Sequence, residues 1–384
     1  MKKLGIVAIF MAIIMLLVAC GDATEKKEEV KDKAEEKVEE VKEEKKDEAK
    51  EEPAEEKKEE AKEEPKEEKA EEKAEAPADE GNLELRRYYG APHGDRGFAV
   101  VVVALSEGKI VDLKMDEFQF FDKSDEITPV PNSDGKFGEG VAEGQALISK
   151  LVNNDVYSKL MAEKGGSTVS YTDNYKAIFD FIKGKSIDEL QKVVDEAKDG
   201  EPIDAISGAT LADTKGYIQV IIDAAKSDFD VVVGTAEDPS KVVLKQIYGA
   251  PHGDRGFADS VVAMEGDKIV AANFDEFQFA GGVVVPNSDG KFGEGYADPA
   301  NGLCSKKANS EAYSKNMIEK AGSTVSIKDN YAAIEAFAAG KTVAEIEEVI
   351  NGAEEGKPID AVSGSTLADT AGYLQMIVDT AKAE

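Results

Sequence analysis

The chain has 384 residues, a length for two or three domains, and a formal net charge of −32 from 47 Lys+Arg against 79 Asp+Glu. Such a charge excludes nucleic acid as a partner, because the phosphate backbone repels it. Two cysteines (Cys20, Cys304) and two histidines (His93, His252) provide neither a disulfide framework nor the spacing of a metal site, and Cys304 reads as a small buried apolar residue.

Residues 1–19 run from Met1-Lys2-Lys3 through the apolar stretch Leu4–Val18 to Ala19, the layout of an export signal and too short for a spanning helix. Leu17-Val18-Ala19-Cys20 resembles the lipobox of bacterial lipoproteins. The resemblance implies that Cys20 becomes the mature N-terminus, carries acyl chains such as palmitate, and holds the protein on the extracytoplasmic face of the cell membrane. The alternative is an ordinary secretory signal with an incidental cysteine.

Residues 20–82 follow as a tether; within them, 21–80 carry 15 basic and 28 acidic groups and no aromatic residue. They bury too little apolar surface for a core and are expected to be disordered or partly helical, with Pro53, Pro65 and Pro77 interrupting any helix.

Two copies of one unit are expected next, at 83–228 and 242–384, with 229–241 as linker. Tyr89–Ala99 returns unchanged as Tyr248–Ala258, and Asp116–Phe120 as Asp275–Phe279. Pro131–Gly140 returns as Pro286–Gly295, and Gly166–Ser170 as Gly322–Ser326. In each unit Ala99–Leu105 and Ile110–Met115 read as a hairpin across Ser-Glu-Gly-Lys, and Phe118 and Phe120 share one face of a further extended segment. Residues 129–140 read as a loop, followed by helices near 144–162, 172–183, 186–198 and 211–226. Ser186-Ile-Asp-Glu189 and Thr342-Val-Ala-Glu345 are capping boxes. The fold class is α+β, a small antiparallel sheet flanked by helices in each copy.

The last helix of each copy is preceded by a small-residue turn, Asp204-Ala-Ile-Ser-Gly-Ala-Thr210 and Asp360-Ala-Val-Ser-Gly-Ser-Thr366. By spacing alone, Thr210 and Thr366 fit plain helix caps, with Asp213 and Asp369 at the third helical position. A cap does not explain Ser207-Gly208-Ala209, which leaves the hydroxyl open and lets a bulky group approach; amides at a helix N-terminus would favour a phosphate there.

This motif resembles the attachment sequence of the covalent FMN-binding domain family, found in ion-pumping oxidoreductase subunits and in exported flavin lipoproteins of extracellular electron transfer. The resemblance covers both copies. It implies two FMN groups esterified to Thr210 and Thr366 by a flavin transferase, with Asp204, Ser207, Gly208, Ala209, Asp360, Ser363, Gly364 and Ser365 in the recognition sequences. Ser365 departs from the family's usual alanine. Phe118, Phe120, Tyr89 and Phe98 are candidate stacking partners of a flavin, or core residues. His93 and His252 sit in turns without an evident partner carboxylate, and Arg96 and Arg255 are candidate phosphate partners or surface cations. An EF-hand at Asn132-Ser-Asp134-Gly135 is rejected because its twelfth position falls on Val141. No catalytic nucleophile or metal site is recognised.

The expected function is a membrane-anchored electron carrier, taking electrons from a membrane quinol oxidoreductase or other reductase and passing them to extracellular acceptors. A flavin-dependent reductase with its own substrate, and a cofactor-free binding lipoprotein, are the alternatives.

Overall fold

A computed structural model describes residues 82–384. The expected signal peptide, Cys20 and the tether lie outside the described residues. No helix among the described residues is long and apolar enough to cross a membrane.

The fold is α+β. Strands β1 (Asn82–Gly90), β2 (Gly97–Ser106), β3 (Lys109–Asp122) and β4 (Gln145–Ser149) precede helices α1 (Asn154–Gly165), α2 (Tyr171–Ile182), α3 (Ile187–Glu196) and α4 (Thr214–Lys226). After β5 (Asp230–Thr235) the order recurs as β6 (Val243–Gly249), β7 (Gly256–Glu265), β8 (Lys268–Ala280), β9 (Gly302–Ser305), then α5 (Ser310–Ala321), α6 (Ile327–Ala338), α7 (Val343–Asn351) and α8 (Thr370–Lys382). The strands form two antiparallel sheets, ordered β4-β3-β2-β1-β5 and β6-β7-β8-β9.

The β2–β3 hairpin turns at Glu107-Gly108, both at positive φ (50° and 72°), as a tight hairpin requires. Both capping boxes form, at Ser186 and Thr342. Three expectations change. Residues 145–149 are a strand rather than the start of a helix: Ala146-Leu-Ile pairs with β3, and so short an apolar run has no period of its own. The stretch 229–241, read as a linker, supplies β5, which pairs with the outer edge of β1. Helix α4 begins at Thr214, so Asp213 and not Thr210 is its N-cap residue.

Strand β2 is buried on both faces. Ala99, Val101 and Val103 meet the helices, while Phe98 and Val100 face the second sheet. Between the sheets Phe98, Phe118, Phe257 and Phe277 form an aromatic cluster, with Phe98 on Phe118 and Phe257 on Phe277 stacked at 5.2 Å.

Polar contacts across this interface are reciprocal. The Tyr89 hydroxyl donates to Asp275 and that of Tyr248 to Asp116, each at 2.6 Å. Asn132 Nδ2 donates to the carbonyls of Gly253 and Gly256, and Asn287 Nδ2 to those of Gly94 and Gly97, all at 2.7 Å. Three of the stretches repeated unchanged in the sequence thus bind each other's counterparts, the arrangement of an isologous interface within one chain. Asn132 and Asn287 hold positive φ (63° and 65°) to do so.

At the interface edge a Cβ on Gly140 would enter the Phe279 ring, and one on Gly295 the Phe120 ring. Gly140→Ala and Gly295→Ala should each destabilise the fold by about 1–3 kcal/mol, read as a lower urea midpoint; an unchanged midpoint contradicts this packing. Burial pushes Asp116 up to about 7 from 3.8, against hydrogen bonds from Ser149 and Tyr248. A carboxyl whose folded pKa is raised contributes stability below its unfolded pKa and loses that contribution as pH rises through the folded value. Asp116→Asn should therefore flatten the part of the stability decline lying between about pH 4 and pH 7.

Candidate functional site

The turn before α4 is pinned from below and open above. Ile206 and Ala209 are buried, while Asp204, Ser207, Gly208 and Thr210 face solvent. Gly208 takes φ 95° and lies against Ala177 of α2, a conformation that disfavours any side chain. The buried Asn174 of α2 orients the threonine: its Oδ1 accepts from Thr210 N at 2.7 Å and Thr210 Oγ1 at 3.3 Å. Its Nδ2 donates to Ser170 O at 2.8 Å, which fixes the carboxamide.

The repeated Gly-Ser-Thr-Val-Ser stretch explains itself here. Gly166 closes α1 in the left-handed region and Ser170 caps α2, placing Asn174 one turn into the helix.

The second turn matches the first. Gly364 takes φ 97° against Ala333, and Asn330 Oδ1 accepts from Thr366 N at 2.6 Å. Asp360 and Ser363 are exposed as well. The departing Ser365 is accommodated: its side chain is buried, with Oγ 3.3 Å from Asn330 Oδ1 and 3.1 Å from Thr370 Oγ1.

His93 and His252 do have carboxylate partners, contrary to expectation. Nδ1 of His93 lies 2.6 Å from Asp213, and Nδ1 of His252 2.6 Å from Asp369. Each aspartate is the N-cap residue of its helix yet makes no side-chain capping bond. The histidine turn reaches it because Gly216 and Gly372 let the carbonyls of Pro92 and Pro251 close against α4 and α8. First-turn amides of these helices are consequently uncapped by side chains, with an imidazole at their edge.

Beneath lies a buried charge cluster. Glu117 accepts from the hydroxyls of Tyr217 (2.8 Å) and Tyr171 (3.0 Å) and from Lys150 Nζ (3.1 Å). Glu276 does the same with Tyr373 and Lys306, each at 2.6 Å, and with Tyr331. Burial alone would raise both carboxyls, but the adjacent lysine and the tyrosine hydroxyls together outweigh it and hold each below its usual range. Successive residues of Asp116-Glu-Phe thus serve opposite faces of β3: Asp116 and Phe118 the sheet interface, Glu117 the site.

At the second copy these parts enclose a cleft of about 560 Å³, lined by Thr366, Asp369, His252, Tyr313, Tyr373 and the Gly322-Ser323-Thr324 corner. That is within the size of cofactor sites, roughly 300–1,000 Å³. Its aromatic walls are tyrosines. Phe98, Phe118 and Phe120, expected as stacking candidates, belong to the sheet interface with Tyr89 instead. Arg96 and Arg255 are exposed and form no ion pair among the described residues. Asn132 of the rejected calcium loop serves the interface, and no cluster able to hold a metal occurs among the described residues. Cys304 is free and buried.

Reasoning from sequence missed Asn174 and Asn330, and read Asp213 and Asp369 as capping-box residues rather than as partners of the histidines. The available signal was recurrence, since Asp-Asn-Tyr and Leu-Ala-Asp-Thr stand in both copies at matching distances from the threonine. Asn174→Ala should loosen the first turn: amide hydrogen exchange at 208–211 is expected to rise at least tenfold while 364–367 stays protected. Equal exchange in the two proteins would contradict the pinning role. No protein-family model, curated protein or solved structure matches the chain.

Proposed function

We propose that the protein is an exported, lipid-anchored electron carrier with FMN joined by phosphoester bonds to Thr210 and Thr366. The observation that carries the reading is the exposed threonine at the mouth of a cofactor-sized cleft, beside helix amides without a side-chain cap. The residues present fit the group. A glycine at positive φ opens each turn, and Asn174 or Asn330, accepting from the threonine hydroxyl, fixes its position on an exposed residue.

When bound, FMN supplies reversible electron transfer at its isoalloxazine ring. The protein's residues would do the rest. Thr210 and Thr366 prevent loss of the cofactor to the medium, and the α4 and α8 N-termini with His93 and His252 favour the phosphate charge. Tyr313 and Tyr373 line the second cleft, and the charged Glu276–Lys306 pair beneath it fixes the local field. The exposed Asp204, Ser207, Asp360 and Ser363 are accessible to a flavin transferase reading each turn. Cys20 with its acyl chains, and the tether of 20–82, would hold both sites outside the membrane. There they would accept electrons from a quinol oxidoreductase or another reductase and deliver them to extracellular acceptors.

Co-expression with a flavin transferase should add two FMN masses to the intact protein, one lost in Thr210→Ala and the other in Thr366→Ala. An unmodified wild-type chain would contradict the reading.

A further inference from the structure

The reciprocal interface is broken at one place. Behind α4 the chain folds the Phe229 ring edge-on to Tyr89, with centroids 5.6 Å apart, and Lys328 Nζ donates to the Phe229 carbonyl at 2.7 Å. Asp230 then enters a buried cluster, accepting from Lys307 Nζ at 2.7 Å and Asn273 Nδ2 at 2.8 Å, with Arg87 Nε at 3.9 Å.

Each of these partners has a counterpart in the other copy: Tyr248 for Tyr89, Gln246 for Arg87, Lys114 for Asn273 and Leu151 for Lys307. Those four counterparts line a groove of about 520 Å³, walled by Val130 and Val152. Val152 is 52% exposed. The groove belongs to the established interface, because Tyr248 and Ser149 in its lining both bond Asp116. Beside it β6 is the outer strand of its sheet, where β1 carries β5. Among the described residues no Phe-Asp pair occupies this second position.

We propose that the groove beside Tyr248 docks a short extended segment of a partner protein carrying an aromatic residue followed by an acidic one. The ring fills the place against Tyr248 that Phe229 fills against Tyr89. The acid meets Lys114, the charged group of the lining, which stands where Asn273 binds Asp230. Exchange of Arg87 and Lys307 for Gln246 and Leu151 leaves that one cation, so a single carboxylate is matched. The contact is short, because Asp112 Oδ2 already accepts from Leu244 N at 2.8 Å and closes the start of the β6 edge to a ladder. Residues 21–80 contain no aromatic side chain and cannot supply the ring. The proposal does not depend on the flavin.

The probe is a fluorescein-labelled peptide with this chain's own sequence from Ser227 to Thr235, titrated with the full-length protein by fluorescence anisotropy. Saturable binding is expected, at least tenfold weaker with Lys114→Glu, with Val152→Arg, and with a peptide bearing Phe229→Ala. Circular dichroism checks that both protein variants remain folded. Absence of saturation overturns the proposal. So does equal affinity in both groove variants, which would mean that the peptide exchanges with β5. A concentration-dependent dimer in sedimentation, abolished by Val152→Arg, would assign the groove to a second copy and overturn the separate partner.

Discussion

Two sheets can bury their apolar faces on each other in many registers, and the Tyr–Asp and Asn–carbonyl pairs across this interface select one. Tyr89 on Asp275 and Tyr248 on Asp116 place a hydroxyl against a buried carboxylate from each side. A slipped register would take from each carboxylate its one donor across the interface, leaving Asp116 to Ser149 and two backbone amides of its own copy and Asp275 to the matching set. It would also bury a tyrosine hydroxyl unpaired, at a cost of about 1–3 kcal/mol. Asn132 and Asn287 add a second pair of constraints, each clamping the turn that carries the opposite histidine. The position of His93 beside Asp213 is thereby set by a loop of the second copy, and that of His252 beside Asp369 by a loop of the first.

The sites therefore depend on the whole molecule. A histidine turn held by the opposite copy meets a helix from its own, and the threonine turn is pinned by an asparagine one helix away. Rigidity also comes from an asymmetric feature, the buried Arg87 guanidinium with Asp259 at 2.5 Å and Asn273 at 2.5 Å. Burial opposes its charge, but Asp259, Asp230 and Asp275 together outweigh this and hold it protonated. Because Asp230 joins the same cluster, β5 is anchored through ions as well as through its ladder with β1.

Much of this was legible in the sequence where local rules decide. The hairpin at Glu107-Gly108, the capping boxes at Ser186 and Thr342 and the helices α2, α3 and α4 all follow from short-range chemistry. Strands β1 and β5 were not legible, since Asn82–Gly90 mixes two arginines and a glutamate with its apolar positions and becomes a strand only between two partners. The capping reading of Thr210 failed for a similar reason. Asp213 fits a box by spacing, but a histidine 120 residues away takes its carboxylate. Recurrence was the stronger signal, though it mixed two causes: Asp116 and Asn132 recur with the interface, while Glu117 belongs to the site.

The central claim, that the two pinned threonines are equivalent attachment points, is tested most directly by peptide mapping. Protein loaded with flavin by a transferase would be digested, and its flavin-bearing peptides sequenced by mass spectrometry. The account predicts two such peptides, with the added FMN mass on Thr210 in one and Thr366 in the other. Flavin on any other residue, or flavin released entirely on denaturation, would contradict it.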